Sequence, residues 1–534
     1  MTRSRIFKNL YRDSVALMQL SARLEAMEGI SMASALMGTP ANQAMLVEAG
    51  LLEAPLPEAA PNDLVLVLRG EEGALDGAVA AFEKSLNPAD TPKKGQREEE
   101  AYGSVAEALR HNPEANLALI SVPGGYAGAE ALKALRRGLN VMLFSDNVPI
   151  HQEAALKKYA SERGLLVMGP DCGTAIISGA PLAFANVVRR GKIGVIGASG
   201  TGMQEVTCLA DQLGQGISQA IGTGGRDLSV AVGGLTMRAA IGLLAEDGET
   251  EIIALIAKPP AKEVAEAVLE EARKTQKPVV VCFLGAPAGS YDQGNLVQAH
   301  SLEEAAHKAA ELAQGKAPAY ASPAGDDLQI QRQSASLRAR LKPGQKYLRG
   351  LYSGGTFCYE ALLHLQKLLP ALAGNTPVGS VQKLADIHKS VGHTVIDLGD
   401  DDFTRGKPHP MIDPAQRNRR LLQEADDPET AVLLLDVVLG YGAHPDPAGE
   451  LAQAVAEAKK RSAAHKNGGK DIVYIGFVCG TEGDPQNFRE QRAKLAAAGF
   501  HLCASNIQAV ALAGAVLGGL TPAPAPPLAS QSGE

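Results

Sequence analysis

Short, continuously apolar runs that alternate with helical patterns constrain the fold of this chain most. The runs are DLVLVLRG from Asp63, NLALISVPGG from Asn116, NVMLFSDN from Asn140, KIGVIGASG from Lys192, EIIALIAKPP from Glu251 and KPVVVCFLG from Lys277. Strands that are buried on both faces have this composition, and the Gly, Ser, Pro, Asp and Asn residues at their ends form turns and begin helices. The pattern therefore predicts an α/β protein with several doubly wound parallel sheets, whose ligands bind at the carboxyl ends of the strands.

The length of 534 residues exceeds what a single hydrophobic core supports, so we expect several domains. Polar, proline-containing stretches at residues 85–100 and 317–346 interrupt the apolar pattern and are interpreted as a loop and an interdomain linker. The predicted units are an N-terminal α/β region at 1–190, an α/β domain at 191–316, a linker at 317–345, a second α/β domain at 346–520 and a disordered tail at 521–534.

The composition argues against several classes of function. Apolar residues make up 45% of the chain and charged residues 21%, which is typical of globular proteins. The net charge of -8 includes no block of Lys and Arg, so we expect no nucleic-acid partner. The apolar run at residues 507–520 is shorter than the roughly 20 residues that cross a bilayer, and no signal-peptide pattern follows Arg3 and Arg5. We therefore expect a cytoplasmic protein without a membrane partner.

The six cysteines are widely separated in the sequence and form no C-x-x-C pair of the kind found in zinc and redox sites. We expect them to be reduced and mostly buried, and we expect no metal site. Cys172 lies in the turn GPDCGT, where no base is adjacent in sequence, so a structural thiol is favoured over a nucleophile.

An internal repeat crosses the predicted linker. A Ser-Gly turn with a threonine and then a glutamate occurs at Ser199 with Glu205 and again at Ser353 with Glu360, each time after a strand and before a helix. Both copies continue with an acidic glycine loop, two further strands and a closing helix that begins at a serine. Five elements in the same order predict two homologous domains with the same strand order. We expect Gly200 and Gly354 to occupy equivalent helix starts.

Each of these turns predicts a phosphate-binding site. A glycine-rich turn at a helix N-terminus directs backbone N–H groups and hydroxyls at an anion, and the helix dipole adds about half a positive charge. The alternative is that the same residues are ordinary helix caps, since Ser, Thr and Gly are favoured there for local reasons. The candidate phosphate-binding residues are Ser199, Gly200, Thr201 and Gly202 in the first copy and Ser353, Gly354, Gly355 and Thr356 in the second.

Two loops supply charged candidates for catalysis and substrate binding. Arg226 and Asp227 follow a predicted strand, where the arginine can clamp a carboxylate or phosphate; a structural salt bridge is the alternative. Prolines restrict the backbone around Arg405, Lys407 and His409, and an imidazole that titrates near neutral pH suits proton transfer. We predict catalytic roles for Arg226, Asp227 and His409, and substrate binding by Arg405 and Lys407. For this second loop, an ordered surface segment or a subunit contact is the alternative.

These residues carry a family resemblance. Residues 116–312, with the segments LALISVPGGYAG, LLVMGPDCGT, KIGVIGASGTGMQE and AIGTGGRDLS, resemble the α-subunit of succinyl-CoA synthetase. Residues 346–517 resemble the carboxy-terminal domain of the β-subunit of that enzyme. The whole chain, including DSVALMQLSARL and MGTPANQAML near its N-terminus, is most similar to the FdrA family of acyl-CoA synthetase-like proteins. The resemblance implies a CoA-binding-like Rossmann unit before residue 190, followed by two flavodoxin-like CoA-ligase domains.

The resemblance also has implications for the site. In the synthetases the matching helices belong to different subunits and converge on one phosphoryl group, so the fused chain is expected to build that site by itself. The synthetases carry the phosphoryl group on a histidine in a G-H-A-G-A loop, whereas the corresponding stretch here reads GAPAGSYDQGN, and neither an ATP-grasp domain nor a P-loop separates the copies. The CoA-binding edge of the family implies a nucleotide site, with CoA as one candidate cofactor, at Pro123, Gly124, Gly125, Ser145 and Asn147.

With the phosphohistidine loop missing, the resemblance implies a subunit of an oxamate carbamoyltransferase in allantoin and purine breakdown, with phosphate or carbamoyl phosphate as substrate. Such a subunit is expected to need other subunits or to form a homo-oligomer. Two alternatives stay open. One is an acyl-CoA synthetase-like ligase whose ATP-handling half lies on another chain, and the other is a non-catalytic scaffold that binds CoA or phosphate.

The cysteine pattern gives a first prediction. We expect no structural disulfide, because scattered cysteines in a reducing compartment remain thiols. A thiol titration of the protein, unfolded in denaturant without reductant, should count all six cysteines. A count lower by two would show a disulfide and contradict the prediction.

Overall fold

Four sheets organise the chain in the structure, a computed structural model that describes residues 1–10, 12, 14–25, 27–86, 102–322, 327–405, 407–464 and 471–518. Two of the sheets have three strands and two have seven. Most of the predicted loop at residues 85–100 and the predicted tail at 521–534 lie outside the described residues. Within the described ranges, no helix is long and apolar enough to cross a membrane.

The N-terminal unit is antiparallel, which differs from the parallel sheet predicted for this region. Its elements are β1 (Thr2–Phe7), α1 (Ser14–Glu25), β2 (Ile30–Met37), α2 (Pro40–Glu48), β3 (Leu64–Gly70) and α3 (Glu72–Leu86). The strand order is β1-β3-β2, with α1 and α3 packed on Leu66 of the central strand and α2 packed on Val65 of its opposite face. Burial on both faces makes a strand continuously apolar whatever its direction, so the apolar run could not give the orientation of β3.

A small parallel unit follows and has the predicted Rossmann-like arrangement. Its elements are α4 (Val105–His111), β4 (Leu117–Ile120), α5 (Gly124–Leu135), β5 (Asn140–Leu143), α6 (Ile150–Ser161) and β6 (Val167–Met168). The strands are ordered β4-β5-β6, and α5 and α6 pack in one hydrophobic cluster with them. Within the region predicted at 1–190, residues 1–168 therefore form two separate sheets.

The two repeats form the seven-stranded sheets. The first contains β7 (Thr174–Ile177), β8 (Ala180–Ala183), β9 (Arg190–Gly197), α7 (Gly200–Gln212), β10 (Ile217–Gly222), α8 (Leu235–Glu246), β11 (Ile252–Ala257), α9 (Lys262–Lys274), β12 (Val279–Phe283), β13 (Leu296–Gln298) and α10 (Leu302–Ala313). The second contains α11 (Leu328–Arg338), β14 (Tyr347–Tyr352), α12 (Gly355–Leu365), β15 (Ala373–Gly374), β16 (Gln382–Lys383), β17 (Thr394–Asp397), α13 (Asp401–Thr404), α14 (Ala415–Asp426), β18 (Thr430–Val438), α15 (Pro447–Ala464), β19 (Val473–Cys479), α16 (Phe488–Ala498), β20 (Phe500–Leu502) and α17 (Asn506–Val516).

The central strands of the two repeats have the same order. They run β13-β12-β11-β9-β10 in the first sheet and β20-β19-β18-β14-β17 in the second, all parallel. This is the doubly wound order of flavodoxin-like folds, so the repeat and its strand order are confirmed. The helix starts differ by one residue from the prediction. Since α7 begins at Gly200 after Ser199 and α12 begins at Gly355 after Gly354, the equivalent pairs are Ser199 with Gly354 and Gly200 with Gly355.

Part of the predicted linker belongs to the core. Helix α11 packs on α17, and its Ile330 and Leu337 join a hydrophobic cluster that includes strands and helices of both repeats. Arg338 Nε also donates to the Val516 carbonyl at 2.8 Å. The sequence LQIQRQSASLR buries only a narrow apolar stripe, which explains why its pattern indicates a polar linker.

Each repeat caps the closing helix of the other. Glu205 of α7 accepts a hydrogen bond from the Asn506 N–H at the start of α17, with 2.8 Å between Oε1 and N. Glu360 of α12 accepts one from the Leu302 N–H at the start of α10 at 2.9 Å, and Asn506 Nδ2 donates to Glu360 Oε2 at 2.8 Å. This exchange accounts for the recurrence of the glutamate after each Ser-Gly turn.

The two capping carboxyl groups are buried together, and this changes their titration. Burial, and then the charge of Glu360, raises the pKa of Glu205 well above its usual range. Burial also raises the pKa of Glu360 to about 7. Loss of a proton near neutral pH therefore places an uncompensated negative charge inside the interface.

The described residues include all six cysteines, and each is a free thiol. Five are buried and Cys503 is half-buried. The closest approach that the structure records is between Cys208 and Cys479, whose sulfur atoms lie 4.0 Å apart across the two repeats. This is about twice the bond length of a disulfide.

The buried pair predicts a pH-dependent stability. A carboxyl group whose pKa rises on folding stabilises the protein below its unfolded pKa, and this contribution is lost as pH rises through the folded pKa. For Glu360 the rise is from 4.5 to about 7, which corresponds to a loss of about 3 kcal/mol by pH 8. Replacing Glu360 by glutamine should therefore favour the variant over the parent protein more at pH 8 than at pH 5, as read from the difference in melting temperature, because the amide cannot ionise inside the interface.

Thermal unfolding at the two pH values measures this difference. Glu270→Gln, which changes an exposed glutamate of α9, serves as the control and should show no such pH dependence. An equal effect of Glu360→Gln at both pH values would mean that Glu360 does not ionise over this range.

Candidate functional site

The N-termini of α7 and α12 meet at the interface between the repeats. Both helices begin at the carboxyl edge of their sheets, directly after the central strands β9 and β14. Ser199 Oγ lies 2.6 Å from Thr356 Oγ1, so the two hydroxyls share a hydrogen bond. Glycines permit this approach: a Cβ on Gly202 would lie 3.2 Å from Thr356 Cγ2, and a Cβ on Gly354 would lie 3.1 Å from Thr201 Cγ2.

The twin-helix site, which we define as residues 199–202 and 353–356, offers free backbone donors. The first residues of a helix have no intrahelical acceptor for their N–H groups, and the helix dipole makes these groups attractive to an anion. Ser199 Oγ accepts the Gly202 N–H at 3.1 Å. In the described part of the chain, no acceptor is bonded to the N–H groups of Gly200, Thr201, Gly355 and Thr356.

In the second repeat, an internal carboxylate occupies part of the predicted phosphate cradle. Asp436 of β18 accepts the N–H groups of Ser353 and Gly354, each at 2.8 Å. Arg417 pairs with Asp436 at 3.2 Å and donates to Ser353 Oγ at 2.7 Å. The N–H groups of Ser353 and Gly354 are thus not free for the phosphate contacts predicted for them, because they bind the protein's own buried anion.

The two halves of the site differ in charge. Gly222 of β10 pairs with Gly197, the last residue of β9, and Asp397 of β17 pairs with Tyr352, the last residue of β14. Gly222 and Asp397 are therefore equivalent positions. The residues that follow read TGGRD in the first repeat and LGDDD in the second. The second half therefore carries more negative charge than the first, so an anion is disfavoured there relative to the first half.

Asp397 faces the first turn of α12. Its Oδ2 lies 2.7 Å from the position that a Cβ on Gly355 would take, and the residue is only 6% exposed. Burial raises the pKa of Asp397 to about 7, with the charge of Asp400 adding to the rise and that of Lys258 opposing it. Lys258 follows β11 of the first repeat, is exposed, and has its Nζ 5.4 Å from the centroid of the Tyr359 ring. The site thus combines an acid and a cation from opposite repeats.

Asp171 lies in the loop between β6 and β7 and extends the same cluster of charges. Asp171 is exposed at the surface, but the protein packed around its carboxyl group, and then the charges of Asp146 and Asp401, raise its pKa to about 6. Arg226 and Lys258 act on it in the opposite direction. Lys258 therefore connects this aspartate electrostatically with the acidic half of the site.

Asp227 belongs to a buried ion-pair network. Lys157 Nζ lies 2.9 Å from both Glu153 Oε1 and Asp227 Oδ1, and Asp227 also accepts two N–H groups in the first turn of α8. The three side chains are at most 1% exposed. Arg226 is 43% exposed and pairs with Glu153 Oε2 at 2.9 Å. Asp227 therefore has no access to a substrate in this arrangement, whereas Arg226 does.

His409 lies beside the acidic half. Its Nε2 is 2.6 Å from the position that a Cβ on Gly399 would take, and its ring centroid is 6.2 Å from that of Phe184. Nδ1 accepts the Met411 N–H at 3.2 Å, so the neutral ring carries its proton on Nε2. Burial lowers the pKa of His409 to about 4, which corrects the expectation that it titrates near neutral pH.

Arg405 and Lys407 have different surroundings from His409. Lys407 lines a small groove with Glu25 of the N-terminal unit and Arg419 of α14. Burial and the charge of Arg419 lower the pKa of Lys407. Arg405 is exposed at the end of α13. Substrate binding by Arg405 and Lys407 stays a prediction.

The residues proposed for a nucleotide meet at the carboxyl edge of the Rossmann-like unit. A Cβ on Gly124 would collide with the Asp146 carbonyl, which explains the glycine. Ser145 Oγ donates to a backbone carbonyl at 2.5 Å, and Asn147 has a left-handed φ of 53°. A Cβ on Gly125 would meet nothing within 4 Å, so the start of α5 has open space for a ligand. CoA binding there stays a prediction.

The stretch that stands in place of G-H-A-G-A lines an open groove of about 490 Å³. Its residues Pro287, Ser290 and Tyr291 form one wall, and Lys262 and Arg273 of α9 lie on the other. The groove contains no histidine among its lining residues, which lie in the described part of the chain.

Asp171, Lys258 and Asp397 are site residues that the sequence did not single out. Lys258 directly follows a strand, Asp397 ends one, and Asp171 comes three residues after Met168 ends another. Ligands of doubly wound sheets bind at these strand ends. A search for charged residues at strand ends would therefore have found all three.

The chain is similar to a known protein over almost its whole length. It is 46% identical over 501 residues to the uncharacterized protein YahF of Escherichia coli strain K12, with 93% of this chain and 95% of that protein covered. It is 31% identical over 210 residues to the succinate–CoA ligase (ADP-forming) subunit alpha of Aquifex aeolicus, with 37% of this chain and 67% of that subunit covered. It is 29% identical over 212 residues to the ADP-forming sulfoacetate-CoA ligase subunit SqwL of an Acholeplasma species, with 37% and 69% covered.

Three family models match separate segments. They are described as CoA-ligase at residues 351–516, CoA binding domain at 188–285, and AllF, heavy metal-associated domain at 1–102. The CoA-binding match therefore covers the first repeat and not the unit of β4 to β6. Among solved structures, PH0766 from Pyrococcus horikoshii OT3 is 16% identical with a TM-score of 0.30, covering 80% of this chain and 88% of that one.

The family model that matches residues 1–102 is described as heavy metal-associated, so we compared these residues with the ligands that such metals prefer. Heavy metals of the soft class prefer thiolate and imidazole ligands. Residues 1–102 contain neither cysteine nor histidine, so methionine is their only soft ligand type and they lack the thiolates and imidazoles of such a site. In the described residues of the whole chain, no group of three or more His, Cys, Asp or Glu side chains is arranged to hold a metal ion.

The buried network predicts a structural role for Asp227. Asp227→Asn should lower the free energy of unfolding by about 2–4 kcal/mol, because it removes the charge of one partner of a buried cation. Urea unfolding measures this change. Phosphate affinity of the folded variant, measured by calorimetry, should stay within about twofold of the parent protein. A large loss of phosphate affinity with unchanged stability would instead support the catalytic interpretation.

Proposed function

Because the chain belongs to the FdrA family and carries CoA-ligase-type domains, we propose that it is the phosphate-handling subunit of an oxamate carbamoyltransferase. The reaction moves a carbamoyl group between oxamate and phosphate. The enzyme is assembled with other subunits, which supply the remaining contacts to the organic substrate.

One observation carries the proposal. The helix N-termini of the two repeats meet at a hydrogen bond of 2.6 Å between Ser199 and Thr356, beside backbone N–H groups that lack an acceptor in the described chain. Such donors stabilise negative charge on a bound phosphate and on a transition state that resembles it. Lys258 adds a positive charge beside the acidic half.

The missing phosphohistidine loop favours a reaction that needs no phosphorylated histidine. In such a reaction the substrate is already an acyl phosphate, or inorganic phosphate accepts the acyl group directly. His409 does not replace the absent histidine, since its Nδ1 accepts the Met411 N–H and burial lowers its pKa to about 4. A direct exchange between a small acyl group and phosphate needs no phosphorylated side chain. Carbamoyl phosphate fits that requirement.

An acyl-CoA ligase subunit is the second candidate. The similarity over 37% of the chain to the succinate–CoA ligase subunit alpha and to the sulfoacetate-CoA ligase subunit SqwL favours it. In this case CoA would supply the thiol that accepts the acyl group, held at the start of α5. The phosphate site would be the same, but ATP would have to act through a partner subunit.

Removal of a hydroxyl from the site tests the main proposal. Ser199→Ala and Thr356→Val should each weaken the binding of inorganic phosphate to the full chain about tenfold or more, because a hydrogen bond to a charged group contributes about 1.5–3 kcal/mol. Isothermal titration calorimetry measures the dissociation constant. Ser104→Ala is the matched control, since Ser104 caps α4 with its side chain as Ser199 caps α7.

The two candidate functions differ in their response to ATP. Incubated with radiolabelled ATP and its companion subunits, the chain should acquire no acid-labile phosphate, whereas a phosphohistidine would support the ligase. With companion subunits, the two substitutions should lower phosphate-dependent carbamoyl transfer in parallel with phosphate binding. If the complete assembly binds phosphate but transfers no carbamoyl group, the result would support a non-catalytic scaffold.

A further inference from the structure

We propose that Asp397 is the proton-transfer residue of the twin-helix site and that it contacts the group exchanged there. This inference rests on the proposed function, since it requires an anion to bind between the two helix N-termini. In this proposal the second, acidic half of the site transfers a proton, whereas the first half holds the anion.

The backbone of Asp397 is held on both sides by one amide. Asn375 Nδ2 donates to the Asp397 carbonyl, and the Asp397 N–H donates to Asn375 Oδ1, each at 2.9 Å. Asp397 Oδ1 accepts the Gly399 N–H at 3.0 Å. No described residue forms a hydrogen bond with Oδ2, which faces the first turn of α12 at Gly355. The carboxyl group is therefore fixed in orientation while one oxygen remains for a ligand.

Comparison of the two repeats shows that only the second repeat has an acidic residue at this position. Gly222 holds the equivalent position in the first repeat, where a Cβ would lie 2.6 Å from Cys172 Sγ and would collide with the Thr174 carbonyl. A side chain cannot be accommodated there. The first half can thus hold an anion without a carboxylate at this position. Asp397 lies on the second half, beside the place where the N-termini of α7 and α12 meet.

Burial has the largest effect on the protonation of Asp397, and charged neighbours from both repeats modify it. Burial raises its pKa to about 7, so the protonated and ionised forms are both populated under physiological conditions. A proton-transfer group is most effective when its pKa lies near the working pH. The titratable groups around it are Lys258 after β11, Asp400 after β17, Asp436 on β18, Cys358 on α12 and His409 beside Gly399.

The proposed exchange requires the movement of one proton. When carbamoyl phosphate forms, an oxygen of monohydrogen phosphate bonds to the carbamoyl carbon, and the bond from that carbon to the oxamate nitrogen breaks. The nitrogen leaves with the electron pair and needs a proton, while the phosphate gives up its hydroxyl proton. Asp397 donates its proton to the nitrogen and receives the one from phosphate. The carboxyl group ends each turnover in the state in which it began.

An anion that does not itself titrate isolates the role of Asp397. Sulfate should bind the full chain at least about tenfold more weakly at pH 8.5 than at pH 6, because ionised Asp397 repels it. Asp397→Asn should remove most of this pH dependence and bind sulfate more tightly than the parent protein at pH 8.5. Calorimetric titrations across the pH range give both values.

Two further variants control the experiment. Asp402→Asn removes an exposed carboxylate of the neighbouring helix α13 and should keep the parental pH profile. Lys258→Met retains Asp397 but removes the cation that favours its ionised form, so the midpoint of the affinity loss should move to higher pH. Thermal melts establish that each variant is folded.

The outcomes separate the two proposals. A parental pH profile in folded Asp397→Asn overturns the role of Asp397 and leaves the phosphate site intact. If sulfate and phosphate bind the parent protein at no pH, or if Ser199→Ala does not weaken them, the proposed function fails and this inference fails with it. With companion subunits, Asp397→Asn should lower kcat about 100-fold or more while KM for phosphate does not rise.

Discussion

The reciprocal capping of the closing helices by Glu205 and Glu360 holds the two repeats in one relative position. Each glutamate lies one turn into a helix whose N-terminus forms the site, and each binds the first N–H of the opposite repeat's closing helix. A shift of one repeat would break both hydrogen bonds and leave buried carboxyl groups without partners. The meeting of Ser199 with Thr356 therefore follows from an interaction in the interior rather than from contacts at the site surface.

Much of the fold could be predicted because doubly wound sheets have a strong periodic pattern. The two repeats and their strand order follow from strands that end in glycine-rich turns, and the shared glutamate marks the register of the helices. Strand direction in the N-terminal unit could not be predicted, since β3 is covered on both faces as a parallel strand would be. The role of α11 was also hidden, because three buried residues in a polar helix give a weak signal.

The site was predictable in position but not in electrostatics. Glycine and serine at a helix start indicate free N–H groups, and Gly200 and Gly355 do begin the two helices. The binding of Asp436 to the N–H groups of Ser353 and Gly354 depends on a neighbouring strand that is distant in sequence. For the same reason, the sequence suggested a titrating His409 and gave no indication of the buried environment that keeps its ring neutral.

The packing of α11 on α17 has a consequence for how the site exists in solution. A site that forms between two separate chains is lost on dilution, because its halves dissociate. Here the connection between α10 and β14 is itself anchored in the shared core, so the halves meet at an effective concentration that does not depend on how much protein is present. Any additional subunit therefore binds next to a site in which the N-termini of α7 and α12 are already together. A single copy of the chain carries both of these helices.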